Sequence, residues 1–152
     1  MRALIQRVTR ASVTANGVPN GEIGVGLVIF LGVTHEDTEA VAARMWQKIA
    51  QLRIFQDDQG KTNLSLKDVG GTVLIVSQFT LYADLRKGNR PSFIKAASPE
   101  HGEALYDYFV SLATAELDGV RSGVFGADMA VDLVNDGPFT IWLDSTIWDS
   151  PR

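Results

Sequence analysis

The sequence predicts an α+β fold in one domain spanning residues 1–152. Three observations carry this. Short runs rich in Val, Ile and Leu dominate both ends of the chain, two stretches with helical spacing lie between them, and a strand-like run separates the two. No regular strand–helix period, long linker, low-complexity run or internal repeat appears, which favours α+β over a doubly wound sheet. A chain of 152 residues is long enough to bury a real core.

The elements follow in order. Met1–Val8 reads as a first strand, because Gln6 and Arg7 interrupt what would otherwise resemble the apolar core of a leader. Asn16-Gly17 and Asn20-Gly21 are tight-turn signals. The stretch from Glu22 to Thr34 reads as strand, with Gly24 and Gly26 marking a bend or bulge. Val41, Met45, Ile49 and Leu52 recur at helical spacing, and Asp37 and Glu39 suit a helix start. Asp57–Gly60 and Gly70-Gly71 read as turns. Val73–Val76 reads as a strand buried on both faces. Ser98-Pro99 is a cap followed by a first-turn proline, and Leu105, Tyr108, Phe109 and Leu112 are the expected buried face of the second helix. Strands return from about Met129 to Leu143.

Composition narrows the function. With 45% apolar and 21% charged residues the chain is ordinary for a globular protein, and no apolar run approaches the roughly 20 residues of a membrane span. There are no cysteines, so disulfides, thiol nucleophiles and thiolate metal sites are out, which fits a cytoplasmic address. The net charge of −4 argues against broad nucleic-acid binding, DNA included, and leaves room only for a local basic patch gripping an RNA end. Two scattered histidines do not make a metal site, no nucleotide-binding glycine pattern is present, and no cofactor is expected.

Two polar stretches end apolar strands. Ser77, Gln78, Phe79 and Thr80 follow Val73–Val76. Either they satisfy the strand end, or they offer a hydroxyl nucleophile and an oxyanion hole of backbone N–H groups. His35 and His101 lie near the expected helix starts, so a Ser-His-Asp arrangement has little support. Asn135–Thr140 follows Met129–Val134. It is either a tight turn or a backbone wall, in which Gly137 and Pro138 present carbonyls to a substrate and sense the hand of its α-carbon. Arg86, Lys87 and Arg90 form the local basic patch, as a phosphate contact or a solvated loop. Arg7, in mid-strand, either points outward or finds a carbonyl or ligand inside.

Taken together, Met1–Val8, Asn63–Ser65, Ser77–Asp84, Arg86–Gly88, Arg90–Phe93, Phe125–Met129 and Leu133–Pro138 resemble the D-aminoacyl-tRNA deacylase family, known also for D-tyrosyl-tRNA(Tyr) deacylase activity. The resemblance covers nearly the whole chain. It implies packed, barrel-like, mostly antiparallel or mixed sheets with two flanking helices, in a homodimer with the active site at the subunit interface. It implies hydrolysis of the ester joining a D-amino acid to the 3′-terminal adenosine of tRNA. The family's Ser-Gln-Phe-Thr motif falls on Ser77, Gln78, Phe79 and Thr80. Its Asn-x-Gly-Pro-x-Thr motif falls on Asn135, Gly137, Pro138 and Thr140. In relatives that Gly-Pro bond is cis, reaches into the partner's pocket and excludes L-aminoacyl groups, and Arg7 matches the arginine associated with holding it.

Exclusion of one substituent position also predicts acceptance of glycyl-tRNA, which has nothing to clash. The ester is already activated and the ribose 2′-OH can assist, so the protein's share becomes positioning and oxyanion stabilisation, with Thr80 in support. Two positions depart from the family: Thr62 stands where relatives often carry Met, and Ile147–Arg152 runs past the usual end, with Trp148 available to cover apolar surface.

Overall fold

β1 (Arg2–Ala15) is the spine of the molecule. In this computed structural model, which describes residues 1–151, its whole length pairs antiparallel with β8 (Met129–Asp144), from Arg2 opposite Asp144 to Ala15 opposite Met129. Its other edge is shared. Arg2–Val8 pairs antiparallel with β3 (Gly26–Gly32), and Ala11–Ala15 pairs with β2 (Val18–Ile23). β3 continues in parallel to β6 (Thr72–Ser77), and β6 in parallel to the short β7 (Arg121–Ser122). Asn20 Nδ2 donates to the Ser122 carbonyl (2.8 Å), drawing β2 toward β7. The result is a single α+β domain built on a nearly closed, barrel-like mixed sheet.

α1 (Glu39–Ala50) and α2 (Pro99–Glu116) cover one face of the sheet. Thr38 caps α1 by accepting from the Val41 N–H, and Ser98 caps α2 by accepting from the His101 N–H. Trp46 of α1 meets Phe109 of α2 edge-on, centroids 5.7 Å apart, over Ile5, Leu27, Ile29 and Ile75. Burying each such side chain contributes about 1.5–3 kcal/mol. A second cluster, Val8, Ala11, Val13, Val28, Leu74 and Val76, fills the other side of the sheet. β1 serves both: register shifts between Gln6 and Arg10 turn its inward face from the helix side at Ala3 and Ile5 to the second cluster at Ala11 and Val13.

The structure corrects several expectations. Asn20-Gly21 lies inside β2 and is no turn, whereas Asn16-Gly17 is one, with positive φ at both residues. The stretch from Glu22 bends where Gly24 and Gly26 mark it, the strand stopping after Ile23 and restarting at Gly26, but it ends at Gly32, short of Thr34. Leu52 falls just beyond α1, and Tyr106 and Ala113 are buried on α2 where Tyr108 and Leu112 are only half-buried. Asp37 is not in the helix: it is buried against the Met1 α-ammonium at 2.6 Å. The strand–helix period is present after all. β3–α1–β6 and β6–α2–β7 are parallel crossovers, masked by an inserted hairpin of β4 (Phe55–Gln56) and β5 (Thr62–Leu64) and by a two-residue β7. Val73 and Ile75 pack in the helix-side cluster and Leu74 and Val76 in the second, and coverage of both faces is why Val73–Val76 is apolar throughout.

The tail past β8 folds back. Ser145 donates its N–H to the Met1 carbonyl, and Trp148 packs on the helix-side core with Arg44 at 4.9 Å and Lys48 at 5.7 Å from its ring. Arg152 of this extension lies outside the described residues. Among the described residues no helix is long and apolar enough to cross a membrane.

Candidate functional site

β6 ends at Ser77, and the next N–H, of Gln78, donates to the Leu31 carbonyl at the end of β3 (2.8 Å). The chain then turns into a short 3₁₀ helix, Phe79–Tyr82. Its ladder begins with the Leu81 N–H donating to Gln78 O (3.3 Å), so the Phe79 and Thr80 N–H groups precede its first bond. Ser77, Gln78 and Phe79 form one rim of a cavity of about 540 Å³. Phe93, Ala96, Ala97 and Pro99 face them, and Phe125–Ala127, Met129 and Val131 complete the walls.

Tyr106 sets this arrangement from beneath. Its hydroxyl reaches the Ile75 carbonyl (2.9 Å) and the Gly123 carbonyl (3.1 Å), tying β6 to the loop that carries Phe125. Burial pushes that phenol up to about 12. Gly102 lets α2 approach closely, since a Cβ there lies 3.3 Å from the Phe125 ring. Phe79 stacks edge-on with Phe93 at 4.9 Å while remaining 56% exposed.

Thr80 is not in the cavity wall: its hydroxyl is exposed and accepts from Gln78 Nε2. Each histidine is engaged by a main-chain carbonyl. His35 Nε2 donates to the Ile94 carbonyl (2.7 Å) and His101 Nε2 to the Asp37 carbonyl (2.9 Å). Among the described residues no group of three or more His, Asp or Glu is placed to hold a metal ion.

The second motif is an excursion in β8. Asn135 pairs with Val8 and Thr140 with Gln6, so residues 136–139 bulge out opposite the single residue Arg7. Asn135 Nδ2 closes the neck, donating to Arg7 O (3.1 Å) and Phe139 O (3.0 Å). Thr140 Oγ1 donates to Asn135 Oδ1 (3.3 Å) and accepts from Gln6 Nε2 (3.2 Å). Arg7 points inward, with a side chain only 7% exposed. It donates to the Ile54 carbonyl (2.6 Å) and to the Asp136 carbonyl (3.2 Å), its Nε lies 3.3 Å from the Asp136 carboxylate, and its guanidinium sits 4.8 Å from the Phe139 ring. The Gly137–Pro138 peptide is cis, and Gly137 has φ +126. A Cβ there would fall 3.0 Å from Arg7 Nη2, so glycine is required. Gly137 and Pro138 are exposed and are not part of their own chain's cavity wall. A single chain thus does not bring the two motifs together.

The basic patch is less basic than it reads. Arg86 is held against Asp84 at 2.6 Å, and that contact keeps the half-buried Asp84 carboxyl well below the usual range. Lys87 and Arg90 remain exposed. Sequence reasoning missed Phe93, Ala96, Ala97 and Phe125–Ala127 as cavity walls. Phe125–Met129 carried a family-like pattern, but nothing local showed that it faces β6.

Comparison with known proteins establishes the family. A family profile described as D-Tyr-tRNA(Tyr) deacylase matches residues 4–144. Proteins named D-aminoacyl-tRNA deacylase from Escherichia coli O1:K1 / APEC and from Shigella boydii serotype 18 are each 55% identical over 143 residues, 94% of this chain and 99% of theirs. A solved structure described as c-Myc DNA Unwinding Element Binding Protein superposes with a TM-score of 0.89 at 41% identity, covering 95% of this chain and 98% of that one. Another, described as a probable eukaryotic D-amino acid tRNA deacylase, shares the fold at 20% identity, with a TM-score of 0.80 over 93% of this chain and 97% of its own. The chain belongs to the D-Tyr-tRNA(Tyr) deacylase family, a family of hydrolases.

Proposed function

We propose that this chain hydrolyses the ester of D-aminoacyl-tRNA, releasing D-amino acid and tRNA, and that it also accepts glycyl-tRNA. The observation that carries this reading is the pairing of a cavity rimmed by Ser77–Phe79 with a backbone excursion locked by Arg7. Water adds to the ester carbonyl, the bond to the ribose oxygen breaks, and that oxygen takes up a proton, helped by the neighbouring 2′-OH. The Phe79 and Thr80 N–H groups, which precede the first bond of the 3₁₀ helix, are the candidate donors to the developing oxyanion, a role worth about 3–4 kcal/mol per donor in other hydrolases.

Selection by hand follows from main-chain atoms. A second copy of the chain supplies Gly137 and Pro138 to the cavity, where their carbonyls occupy the space an L side chain needs. Exposure of Phe79, Ile94 and Trp142 in the single chain supports such an interface. Lys87 and Arg90 are the candidate phosphate contacts near the acceptor end, and Arg86 serves mainly to pin the loop to Asp84.

An end-binding role without turnover is the alternative, raised by the DNA-binding description of the 41% identical structure. Incubation with D-tyrosyl-, L-tyrosyl- and glycyl-tRNA separates the two. The deacylase releases D-tyrosine and glycine and spares the L ester; retention of all three esters intact refutes the proposal.

A further inference from the structure

We infer that Phe139 is a positioning residue for chiral selection, acting through Arg7. The inference rests on the proposed function and extends it to a side chain outside both motif signatures. The Arg7 guanidinium lies in a cage of unequal walls. The Ile54 carbonyl is buried and 2.6 Å away, which fixes one nitrogen. The Asp136 carbonyl and carboxylate lie at 3.2 and 3.3 Å, but the Asp136 side chain is 49% exposed, and solvent competes for it. The remaining wall is the Phe139 ring, 4.8 Å from the guanidinium carbon.

Gly137 is packed into the same cage. An added Cβ would sit 3.0 Å from Arg7 Nη2 and 3.3 Å from Phe139 Cβ, so the guanidinium and the stem of Phe139 both flank the Gly137 backbone, while the Phe139 ring backs the guanidinium. Phe139 is half-buried and rests on the helix-side core together with Ile141 and Leu143. It therefore connects a rigid core to an exposed excursion. Asn135 fastens the neck of the excursion, donating to the carbonyls of Arg7 and Phe139 and not to the tip at 137 and 138. The orientation of the tip depends on Arg7, and the plane of Arg7 depends on a flat aromatic face. A planar cation stacks on such a face, and an aliphatic side chain of equal bulk supplies no equivalent.

The experiment compares Phe139→Leu and Phe139→Tyr with the parent chain. kcat/KM is measured on D-tyrosyl-, L-tyrosyl- and glycyl-tRNA, and the Arg7 Nε–H resonance is followed by NMR. Loss of a cation–aromatic contact corresponds to about a tenfold change in a rate ratio. Phe139→Leu is expected to raise the L/D ratio about tenfold and leave glycyl-tRNA turnover unchanged, because glycine has no side chain to exclude. Phe139→Tyr keeps the ring face and the parent ratio. In the parent the Arg7 Nε–H shows a ring-current shift that Phe139→Leu abolishes. General loosening of the fold instead lowers all three substrates together and overturns the inference. An L/D ratio within twofold of the parent in Phe139→Leu, or an equal Arg7 resonance in both proteins, also overturns it. A parent that cleaves no D ester overturns the proposed function and this inference with it, whereas a selective parent with an unchanged variant overturns this inference alone.

Discussion

Replacing Arg7 by lysine is the most informative single change, because it keeps the charge and removes the geometry. Arg7 spans two carbonyls on different elements, Ile54 before β4 and Asp136 in β8. A lysine offers one nitrogen and reaches one of them. One charge-assisted hydrogen bond is lost, about 2 kcal/mol, and stacking on Phe139 adds about 1 kcal/mol. The half-exposed carboxylate of Asp136 is discounted for solvent screening. The total, about 3 kcal/mol, lies within a typical domain stability of about 5–15 kcal/mol, so the variant folds. Differential scanning calorimetry should show Tm lowered by roughly 6–12 °C. The same protein should lose selectivity for D over L esters while keeping turnover of glycyl-tRNA, since the cavity itself is untouched. A variant with Tm within about 2 °C of the parent and an unchanged D/L ratio refutes the claim that Arg7 holds the excursion.

Other changes probe the remaining parts. Thr80→Ala should retain turnover within about tenfold, because its hydroxyl accepts from Gln78 and has no base beside it; loss of all turnover with tRNA binding and fold intact makes it the nucleophile instead. Asp144 is half of a pH-dependent contact. Burial opposes its charge, but the Thr146 N–H and hydroxyl and the Arg2 guanidinium outweigh it and lower its pKa from 3.8. A lowered folded value means stabilisation present above pH 3.8 and lost as pH falls through that lower value, so Asp144→Asn should cost about 1–2 kcal/mol at pH 7 with a Tm gap that closes in acid. A gap independent of pH contradicts this. Trp148→Ala should lower stability by about 1–3 kcal/mol in urea titration with no change in the D/L ratio, and an altered ratio places the tail in the site.

The sequence made the chemistry of the ends of strands legible and left their meeting invisible. Ser98-Pro99 announced α2, and Val73–Val76 announced a doubly covered strand, because caps and unbroken apolar runs are local signals. Arg7 was ambiguous for a physical reason. Alternation along a strand assigns its face only if the register is regular, and the shifts between Gln6 and Arg10 break the register at that point. The parallel crossovers were hidden by the β4–β5 hairpin and the brevity of β7. Phe125 is brought to the cavity by the Tyr106 bonds to β6 and the Gly123 loop, and Phe93 by its contact with Phe79, each joining elements distant in sequence. Arg86 reads in sequence as one of three cations in a basic patch, because its contact with the Asp84 carboxylate is a property of the folded loop.

Under the proposed function, the geometry of one chain separates hydrolysis from selection. The excursion at 136–139 is fastened at both flanks by pairing with β1 and at its centre by Arg7 bound to Ile54. A segment held in this way does not swing into a cavity whose walls it does not share. Under the proposed function, a second copy must therefore bring the excursion, and the two activities acquire different concentration dependences. The rim at Ser77–Phe79 belongs to each chain alone, so ester cleavage persists in a separated subunit whose cavity remains intact. Discrimination does not, because the excluding carbonyls leave with the partner. Dilution through the subunit dissociation constant, followed by sedimentation and by single-turnover assays, should leave glycyl-tRNA cleavage standing while the D/L ratio collapses toward one. If selectivity instead survives in a demonstrated monomer, the excluding wall lies in the chain's own cavity, and the backbone of Gly137 and Pro138 is not what reads the substrate's hand.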